Sequence, residues 1–109
     1  MVLSGYKAMW ILVLFDLPTR KKKQRKRATQ FRKILLEDGF DMMQYSVYLR
    51  PCPSEENTDV HFERVKRALP PEGHVRIFKI TDKQFERMHC FRSGEVSDLE
   101  VMPEQLGLF

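Results

Sequence analysis

A single carboxylate beside a dense run of cations is the feature of this sequence best suited to chemistry. Asp16 directly follows the apolar residues 10–15, and seven of the eight residues at 20–27 are lysine or arginine. Phosphates need cationic neutralisation, and a phosphate-bound Mg²⁺ needs a carboxylate. Nucleic acid is therefore the first partner to consider. The candidate phosphate contacts are Arg20, Lys21, Lys22, Lys23, Arg25, Lys26 and Arg27.

The positive charge of the chain is concentrated in one segment. The 109 residues include 19 basic and 15 acidic side chains, for a formal net charge of +4. Residues 20–33 hold nine basic residues and no acid, and subtracting nine from +4 leaves −5 for the remainder. Such a patch attracts a polyanion and makes its binding depend on salt. The alternative interpretation is a solvated helix face that serves solubility.

The elements that position these residues follow from the hydrophobic pattern. Residues 10–15 indicate a buried strand with Asp16 at its carboxyl end, because the run is continuous and too short for a helix that must end before Pro18. Thr19 is the predicted N-cap of an amphipathic helix that ends at Gly39. The cations crowd its first turn, where the helix dipole is already positive, and a bound phosphate would relieve that repulsion.

The middle of the chain has the alternation of a strand. Polar and apolar side chains alternate over residues 42–50, and a bend between Gln44 and Ser46 divides this stretch into two short strands. Pro51 and Pro53 are predicted to end it, and Tyr48 is expected to pack at an interface. Gln44 and Ser46 are supporting candidates for positioning a phosphate or water, although hydrogen bonding within the bend is the simpler interpretation.

The remaining elements complete an α+β pattern. A second amphipathic helix ends at Pro70, residues 75–80 form a strand, and Thr81 with Gln84 resembles the capping box of a short helix. Residues 99–102 are the candidate for a last strand.

The resulting order is the βαββαβ arrangement of a ferredoxin-like sandwich, in which two helices cover one side of the sheet. We expect one domain over residues 1–109, with a core at about 8–81. An appendix at about 82–109 would add a short helix and a strand for dimer or partner contacts. Because the other side of the sheet is left open in so small a chain, a homodimer is expected.

Several other classes are disfavoured. No stretch approaches the ~20 apolar residues of a membrane helix, and the first nine residues lack a signal-peptide pattern, so a cytoplasmic protein without a membrane partner is predicted. Cys52 and Cys90 lack metal-ligand spacing, so neither zinc nor a disulfide is expected. The scattered His61, His74 and His89 are weak candidates for ligands or bases.

Four segments together resemble the CRISPR-associated protein 2 family, and their details look most like the form that accompanies a single large effector nuclease (type II systems). They run in order over about residues 10–88. They are Leu14-Phe15-Asp16-Leu17-Pro18, Gly39-Phe40, Met43-Gln44-Tyr45-Ser46-Val47-Tyr48 and Ile80-Thr81-Asp82-Lys83-Gln84-Phe85.

The resemblance implies a ferredoxin-like homodimer in the spacer-acquisition step of antiviral defence. Such a dimer bridges two dimers of the CRISPR integrase and binds the duplex part of foreign DNA. Its C-terminal segment, here residues 99–102 and 106–109, would join the partner subunit's sheet or the integrase. Some family members are described as divalent-metal-dependent endonucleases on RNA or DNA, and in them the Asp matching Asp16 is assigned to the metal near the dimer axis.

The residues themselves leave catalysis open. Two Asp16 carboxylates in a symmetric dimer could share one Mg²⁺ or Mn²⁺ completed by water and phosphate, and no organic cofactor is expected. No second acid or histidine lies near Asp16 in sequence, and Asp16 could instead accept hydrogen bonds from backbone amides at the start of the first helix. We therefore hypothesise a double-stranded DNA-binding scaffold. The alternatives are a metal-dependent endoribonuclease or DNase with Asp16 as catalytic residue, and a basic RNA-binding accessory protein.

Overall fold

Four antiparallel strands form the sheet on which the two long helices pack. The structure is a computed structural model that describes residues 8–92 and the backbone of residues 95–97. No helix in this part of the chain is long and apolar enough to cross a bilayer. The elements are β1 (Met9–Asp16), α1 (Lys22–Glu37), β2 (Asp41–Gln44), β3 (Val47–Cys52), α2 (Glu55–Arg67), β4 (His74–Thr81), α3 (Asp82–Glu86), β5 (Cys90–Arg92) and β6 (Glu95–Ser97).

The strand order confirms the predicted fold class. The main sheet has the order β2-β3-β1-β4, and β5 and β6 form a separate hairpin. A central first strand between the third and fourth is the topology of the ferredoxin-like βαββαβ fold. The hairpin was not predicted from the sequence. The predicted last strand at residues 99–102 lies outside the described residues.

β1 contributes to two apolar layers at once. Ile11, Val13 and Phe15 pack beneath the helices, whereas Trp10 and Leu12 belong to a second cluster on the other side of the sheet. β1 pairs with β3 along one edge and with β4 along the other. A strand buried on both sides needs apolar residues at successive positions, which explains the continuous run in its sequence. The predicted strand with Asp16 at its end is confirmed.

α1 begins later than the sequence predicted. Its N-cap is Lys21, whose side chain has no hydrogen-bond acceptor; instead the Lys21 amide donates to Gln24 Oε1 at 2.9 Å. The prediction that Thr19 caps the helix is wrong. Arg25 Nη1 donates to the backbone oxygens of Thr19 and Arg20 at 3.0 and 2.8 Å, which holds that segment outside the helix. The buried stripe of α1 comprises Ala28, Phe31 and Leu35.

The predicted bend is a tight turn between β2 and β3. Ser46 has a φ of +63°, in the left-handed region that few residues other than glycine adopt. Its backbone oxygen accepts a hydrogen bond from the Phe15 amide at 3.0 Å. This bond fixes the turn against the end of β1, so that the strained residue lies beside the candidate site.

The predicted end of β3 is confirmed at the second of its two prolines. The strand includes Pro51 and ends at Cys52, immediately before Pro53. β2 begins at Asp41, which pairs with Leu49, so β2 does not extend opposite Pro51. The missing amide hydrogen of Pro51 therefore leaves no acceptor of β2 unpaired. The prediction that Tyr48 packs at an interface is wrong: it is buried in the core of the chain itself, with its ring centroid 5.6 Å from that of Phe15.

α3 covers part of the second side of the sheet. Its predicted capping box is confirmed: the Gln84 amide donates to Thr81 Oγ1 at 3.1 Å, and the Thr81 amide donates to Gln84 Oε1 at 2.8 Å. Phe85 stacks on Trp10 with ring centroids 3.9 Å apart. The short helix thereby shields the Trp10 end of β1 and leaves the Asp16 end without this cover.

A partly buried carboxylate joins the end of α1 to α2. Asp38 Oδ2 lies 2.7 Å from His61 Nδ1, and Asp38 Oδ1 accepts a hydrogen bond from Arg64 Nη1 at 2.7 Å. Arg50 Nε donates to the backbone oxygen of the same residue at 2.8 Å. Burial raises the pKa of the Asp38 carboxyl, but the hydrogen bonds from His61 and Arg64 outweigh it and hold that pKa below its ordinary value. His61 is thus part of a structural contact.

The loop before β4 packs tightly against the chain that follows β1. Gly73 has a φ of +96°, and a Cβ atom there would lie 2.7 Å from the backbone oxygen of Asp16 and 2.8 Å from Leu17 Cδ2. Glycine is the residue that tolerates both the backbone angle and this close approach. Asp16 is therefore held by backbone packing as well as by strand pairing.

Asp38→Asn should destabilise the fold at neutral pH. Removing the charge from this hydrogen-bonded cluster should cost about 1–3 kcal/mol. Because the folded-state pKa of Asp38 is depressed, its contribution is complete above the unfolded-state pKa and is lost as the pH falls through the folded-state pKa. Urea unfolding from pH 7 down to about pH 3 should show the difference from wild type shrinking. The exposed Glu37→Gln is the control, and a difference that does not change with pH would contradict the assignment.

Gly73→Ala should destabilise the fold more than Gly39→Ala. Both residues have positive φ, +96° and +93°, so alanine at either position carries the same backbone cost of about 1–2 kcal/mol. At position 73 the added methyl also meets the Asp16 backbone, whereas at position 39 its nearest neighbour is the flexible Arg50 side chain at 3.0 Å. Urea unfolding of both variants measures the excess. Equal losses would show that packing against Asp16 contributes nothing.

Candidate nucleic-acid interface

The basic surface lies on the side of α1 that faces away from the sheet. Side chains three and four residues apart share this exposed face and line a shallow groove. From its first to its last lysine the face extends about 16 Å along the helix axis, enough to follow several phosphates. The outer face of α1 comprises Lys22, Arg25, Lys26, Thr29, Gln30 and Lys33.

Two of the seven predicted phosphate contacts are already engaged within the protein. Arg25 holds the backbone oxygens that precede α1, as described above. Arg27 Nη1 lies 3.6 Å from Glu72 Oε1, and the Gln24 amide nitrogen lies 3.5 Å from both oxygens of the same carboxylate. The side chains without an intramolecular partner in the described part of the chain are Arg20, Lys21, Lys22, Lys23 and Lys26.

Lys33 belongs to the same surface but was not among the predicted contacts. It is exposed on the outer face of α1, three turns beyond Lys22 and two turns beyond Lys26. The three lysines share one face because they are spaced by four and seven residues. That spacing is visible in the sequence, and it was the signal that could have identified Lys33.

Asp16 is the exposed last residue of β1. Phe15 packs beneath the helices, so the alternation of side chains along a strand directs Asp16 to the opposite, uncovered side of the sheet. The outer face of α1 and the Asp16 carboxylate therefore lie on different sides of the sheet. The alternative that Asp16 caps α1 is wrong, since Lys21 occupies the N-cap position.

β4 adds two polar side chains that the sequence analysis did not connect with Asp16. His74 pairs directly with Asp16, and Arg76 pairs with Leu14. Both β4 residues are exposed and alternate with Val75, which packs beneath the helices, so they share the uncovered side with Asp16. No group of three or more metal-binding side chains lies within the described residues.

The two supporting candidates lie near the end of β1, and neither side chain is hydrogen-bonded to it. Ser46 reaches β1 through its backbone oxygen, and Gln44 pairs with Val47 in the neighbouring strand. Between them, Tyr45 is 73% exposed. The structure thus brings the turn beside the strand that carries Asp16, whereas Gln44 and Ser46 remain candidates for positioning water or phosphate.

The turn between β2 and β3 also contacts α1. Arg32 Nη2 donates to the Tyr45 hydroxyl at 3.1 Å, and its guanidinium carbon lies 5.4 Å from the centre of the Tyr45 ring. An arginine at this distance interacts favourably with the aromatic face. Since the same turn is hydrogen-bonded to β1, it connects the helix that carries the cations with the strand that carries the carboxylate.

The chain is similar to known proteins of one description. The family model of CRISPR associated protein Cas2 matches residues 9–88. The CRISPR-associated endoribonuclease Cas2 of Flavobacterium psychrophilum is 47% identical over 98% of this chain and 93% of that protein. The protein of the same name from Paracidovorax avenae is 46% identical over 99% of this chain and 100% of its own.

One solved structure supports the fold. It is described as the crystal structure of cas2, and it aligns with a TM-score of 0.54 at 22% identity. The alignment covers 84% of this chain and 98% of the other. At this level of identity the likeness concerns the arrangement of the strands and helices.

Proposed function

The chain belongs to the CRISPR-associated Cas2 family, and from that premise we propose that it serves spacer acquisition as a homodimeric scaffold. The dimer holds the duplex part of foreign DNA and bridges dimers of the CRISPR integrase. The observation that carries the proposal is the row of unpaired lysines on the outer face of α1. Assignment to a system with a single large effector nuclease stays a prediction.

The chemistry of this face suits binding without sequence preference. Lys22, Lys26 and Lys33 are point charges that neutralise phosphates, whereas reading of base edges relies on bidentate groups such as arginine or asparagine. Phosphate contacts position a protein on a duplex and carry no sequence information directly. A scaffold that must accept any foreign DNA needs this property.

The start of α1 supports the same role. Its first turn contains no acid, and the Lys21 side chain offers no acceptor to the helix amides. Amide hydrogens at a helix N-terminus and the helix dipole both favour an anion. A phosphate of the duplex would satisfy these groups and reduce the repulsion among Lys21, Lys22 and Lys23.

The homodimer is proposed from the uncovered side of the sheet. Phe78 on β4 is 47% exposed and pairs with Leu12 of the central strand. Phe91 on β5, in the appendix that begins at about residue 82, is 69% exposed. A second copy of the chain would cover these rings. The other candidates for partner contacts, residues 99–102 and 106–109, lie outside the described residues.

A metal-dependent endoribonuclease is the second candidate function. The relatives named above are called CRISPR-associated endoribonucleases, and Asp16 is an exposed carboxylate without a partner in the described part of the chain. Asp16 would hold Mg²⁺ or Mn²⁺, which when bound polarises a phosphate oxygen and activates water. Arg76, on the same side of the sheet, would contact the phosphate backbone of the substrate.

Replacing Lys22, Lys26 and Lys33 together by alanine should weaken duplex binding equally for unrelated sequences. Each lost phosphate contact should reduce the slope of log K against log salt concentration by about 0.9, so the full variant should lose up to about 2.7. Fluorescence anisotropy with two duplexes of unrelated sequence over a range of salt concentrations measures both quantities.

The control for this variant removes the same charge elsewhere. Lys66, Arg67 and Lys83 are exposed and lie off the outer face of α1, so their joint replacement by alanine should leave the slope nearly unchanged. Equal losses of affinity in the two triple variants would show that only net charge matters. They would contradict the assignment of the DNA-binding surface to α1. Tighter binding of single-stranded RNA than of duplex DNA would favour an RNA-binding accessory role.

Asp16→Asn should abolish divalent-dependent cleavage of single-stranded RNA while leaving duplex affinity unchanged. The loss should be at least about 100-fold, because changes outside the first coordination sphere already cost 10- to 100-fold. Cleavage of end-labelled RNA with MgCl₂, MnCl₂ or a chelator measures it, and anisotropy provides the binding control. A purified wild-type protein that cuts neither RNA nor DNA would eliminate this function, and unchanged cleavage by the variant would exclude Asp16.

A further inference from the structure

The register of β1 and β4 places an imidazole beside the Asp16 carboxylate. Asp16 and His74 are directly opposite each other in this antiparallel pair. Residues in that relation have Cβ atoms about 4.5–5.5 Å apart and point to the same side of the sheet. Both side chains are exposed, and neither has a hydrogen-bond or ion-pair partner in the described part of the chain.

We propose that His74 is the second protein ligand of a divalent metal site with Asp16, and that the pair prefers Mn²⁺ and later first-row metals to Mg²⁺. The inference rests on the proposed metal role of Asp16 and adds to it a ligand and a metal preference. Carboxylate and water oxygens alone suit Mg²⁺, whereas an imidazole nitrogen adds affinity for transition metals.

The geometry of the two strand ends allows both donors to reach one ion. A carboxylate oxygen and an imidazole nitrogen bind such an ion at about 2.0–2.2 Å, so they must approach each other to roughly 3 Å. Two side chains on Cβ atoms about 5 Å apart can converge in this way through their χ angles. Water, phosphate or a second copy of the chain would complete the coordination.

The backbone beside His74 fixes the spacing of the pair. Gly73 immediately precedes His74, and it approaches the backbone oxygen of Asp16 so closely that a Cβ atom at that position would lie 2.7 Å from it. The two strand ends are therefore packed backbone to backbone. A pair of ligands at this position is held by two paired strands and not by a loop.

The surroundings leave both donors available. Arg76 pairs with Leu14 and is therefore diagonal to Asp16, at about 7–8 Å, which suits a phosphate contact better than an ion pair. The other two histidines differ from His74: His61 is bound to Asp38, and His89 stacks on Phe91 with ring centroids 6.5 Å apart. Among the described histidines, His74 is the one opposite a carboxylate without a partner.

Binding of MnCl₂ to the full-length chain, followed by the electron paramagnetic resonance signal of free Mn²⁺, tests the proposal without an activity assay. His74→Gln should weaken Mn²⁺ binding by about 10-fold or more. The affinity for Mg²⁺, measured by competition against Mn²⁺, should change far less, since oxygen ligands dominate that ion. Asp16→Asn should weaken the binding of both ions.

Two further variants sharpen the result. His89→Gln removes an exposed histidine elsewhere and should bind Mn²⁺ like the wild type. His74→Asp replaces the nitrogen donor by oxygen, so it should bind Mg²⁺ more tightly than His74→Gln does. Thermal unfolding of each variant verifies that these exposed substitutions leave the fold intact.

The outcomes separate this inference from the proposed function. Wild-type Mn²⁺ affinity in His74→Gln, with a loss in Asp16→Asn, would overturn the role of His74 and retain that of Asp16. Unchanged binding in both variants, or no binding by the wild type, would overturn both. The duplex affinity conferred by α1 does not depend on either residue and is measured separately.

Discussion

The burial of β1 between two other strands and two apolar layers is the constraint on which the rest of the structure depends. Its side chains alternate between the layer beneath the helices and the cluster around Trp10, so both layers depend on the apolar residues of β1. The same pairing fixes what lies around its carboxyl end. β3 brings the Ser46 turn to one edge of β1, and β4 brings His74 to the other. A carboxylate at the end of such a strand is positioned by the core of the protein.

Local signals in the sequence were enough to predict the strands of the main sheet, the three helices, the fold class and the residue at the end of β1. The continuous apolar run, Gly39 and the pair Thr81 and Gln84 each act within a few residues, and the structure has them as expected. The prediction of Thr19 as the N-cap failed because the preference of a residue for the cap position is weak compared with the hydrogen bonds that Arg25 makes to the preceding backbone. Tyr48 misled because alternation identifies two faces of a strand and not which of them is covered.

The neighbours of the site depended on contacts between residues far apart in sequence. No sequence pattern indicated that His74 lies next to Asp16, because only the register of β1 against β4 brings the two together. Glu72 likewise reaches Arg27 from the loop after α2, so a cation that looked available is partly neutralised. Counting charges identified the basic segment correctly. Charge counting could not distinguish the basic side chains that make intramolecular contacts from those that are available to a ligand.

The placement of the basic face of α1 and of Asp16 on different sides of the sheet has an evolutionary consequence. Two surfaces that share a scaffold but no side chains can be lost one at a time. Under the proposed functions, a lineage that does not need cleavage can lose the acid at the end of β1 while selection retains the lysines. A lineage that does not need duplex binding can lose the lysines and retain the acid. Under the functions proposed above, proteins of this fold can therefore differ in whether they cut nucleic acid while holding it by the same helix.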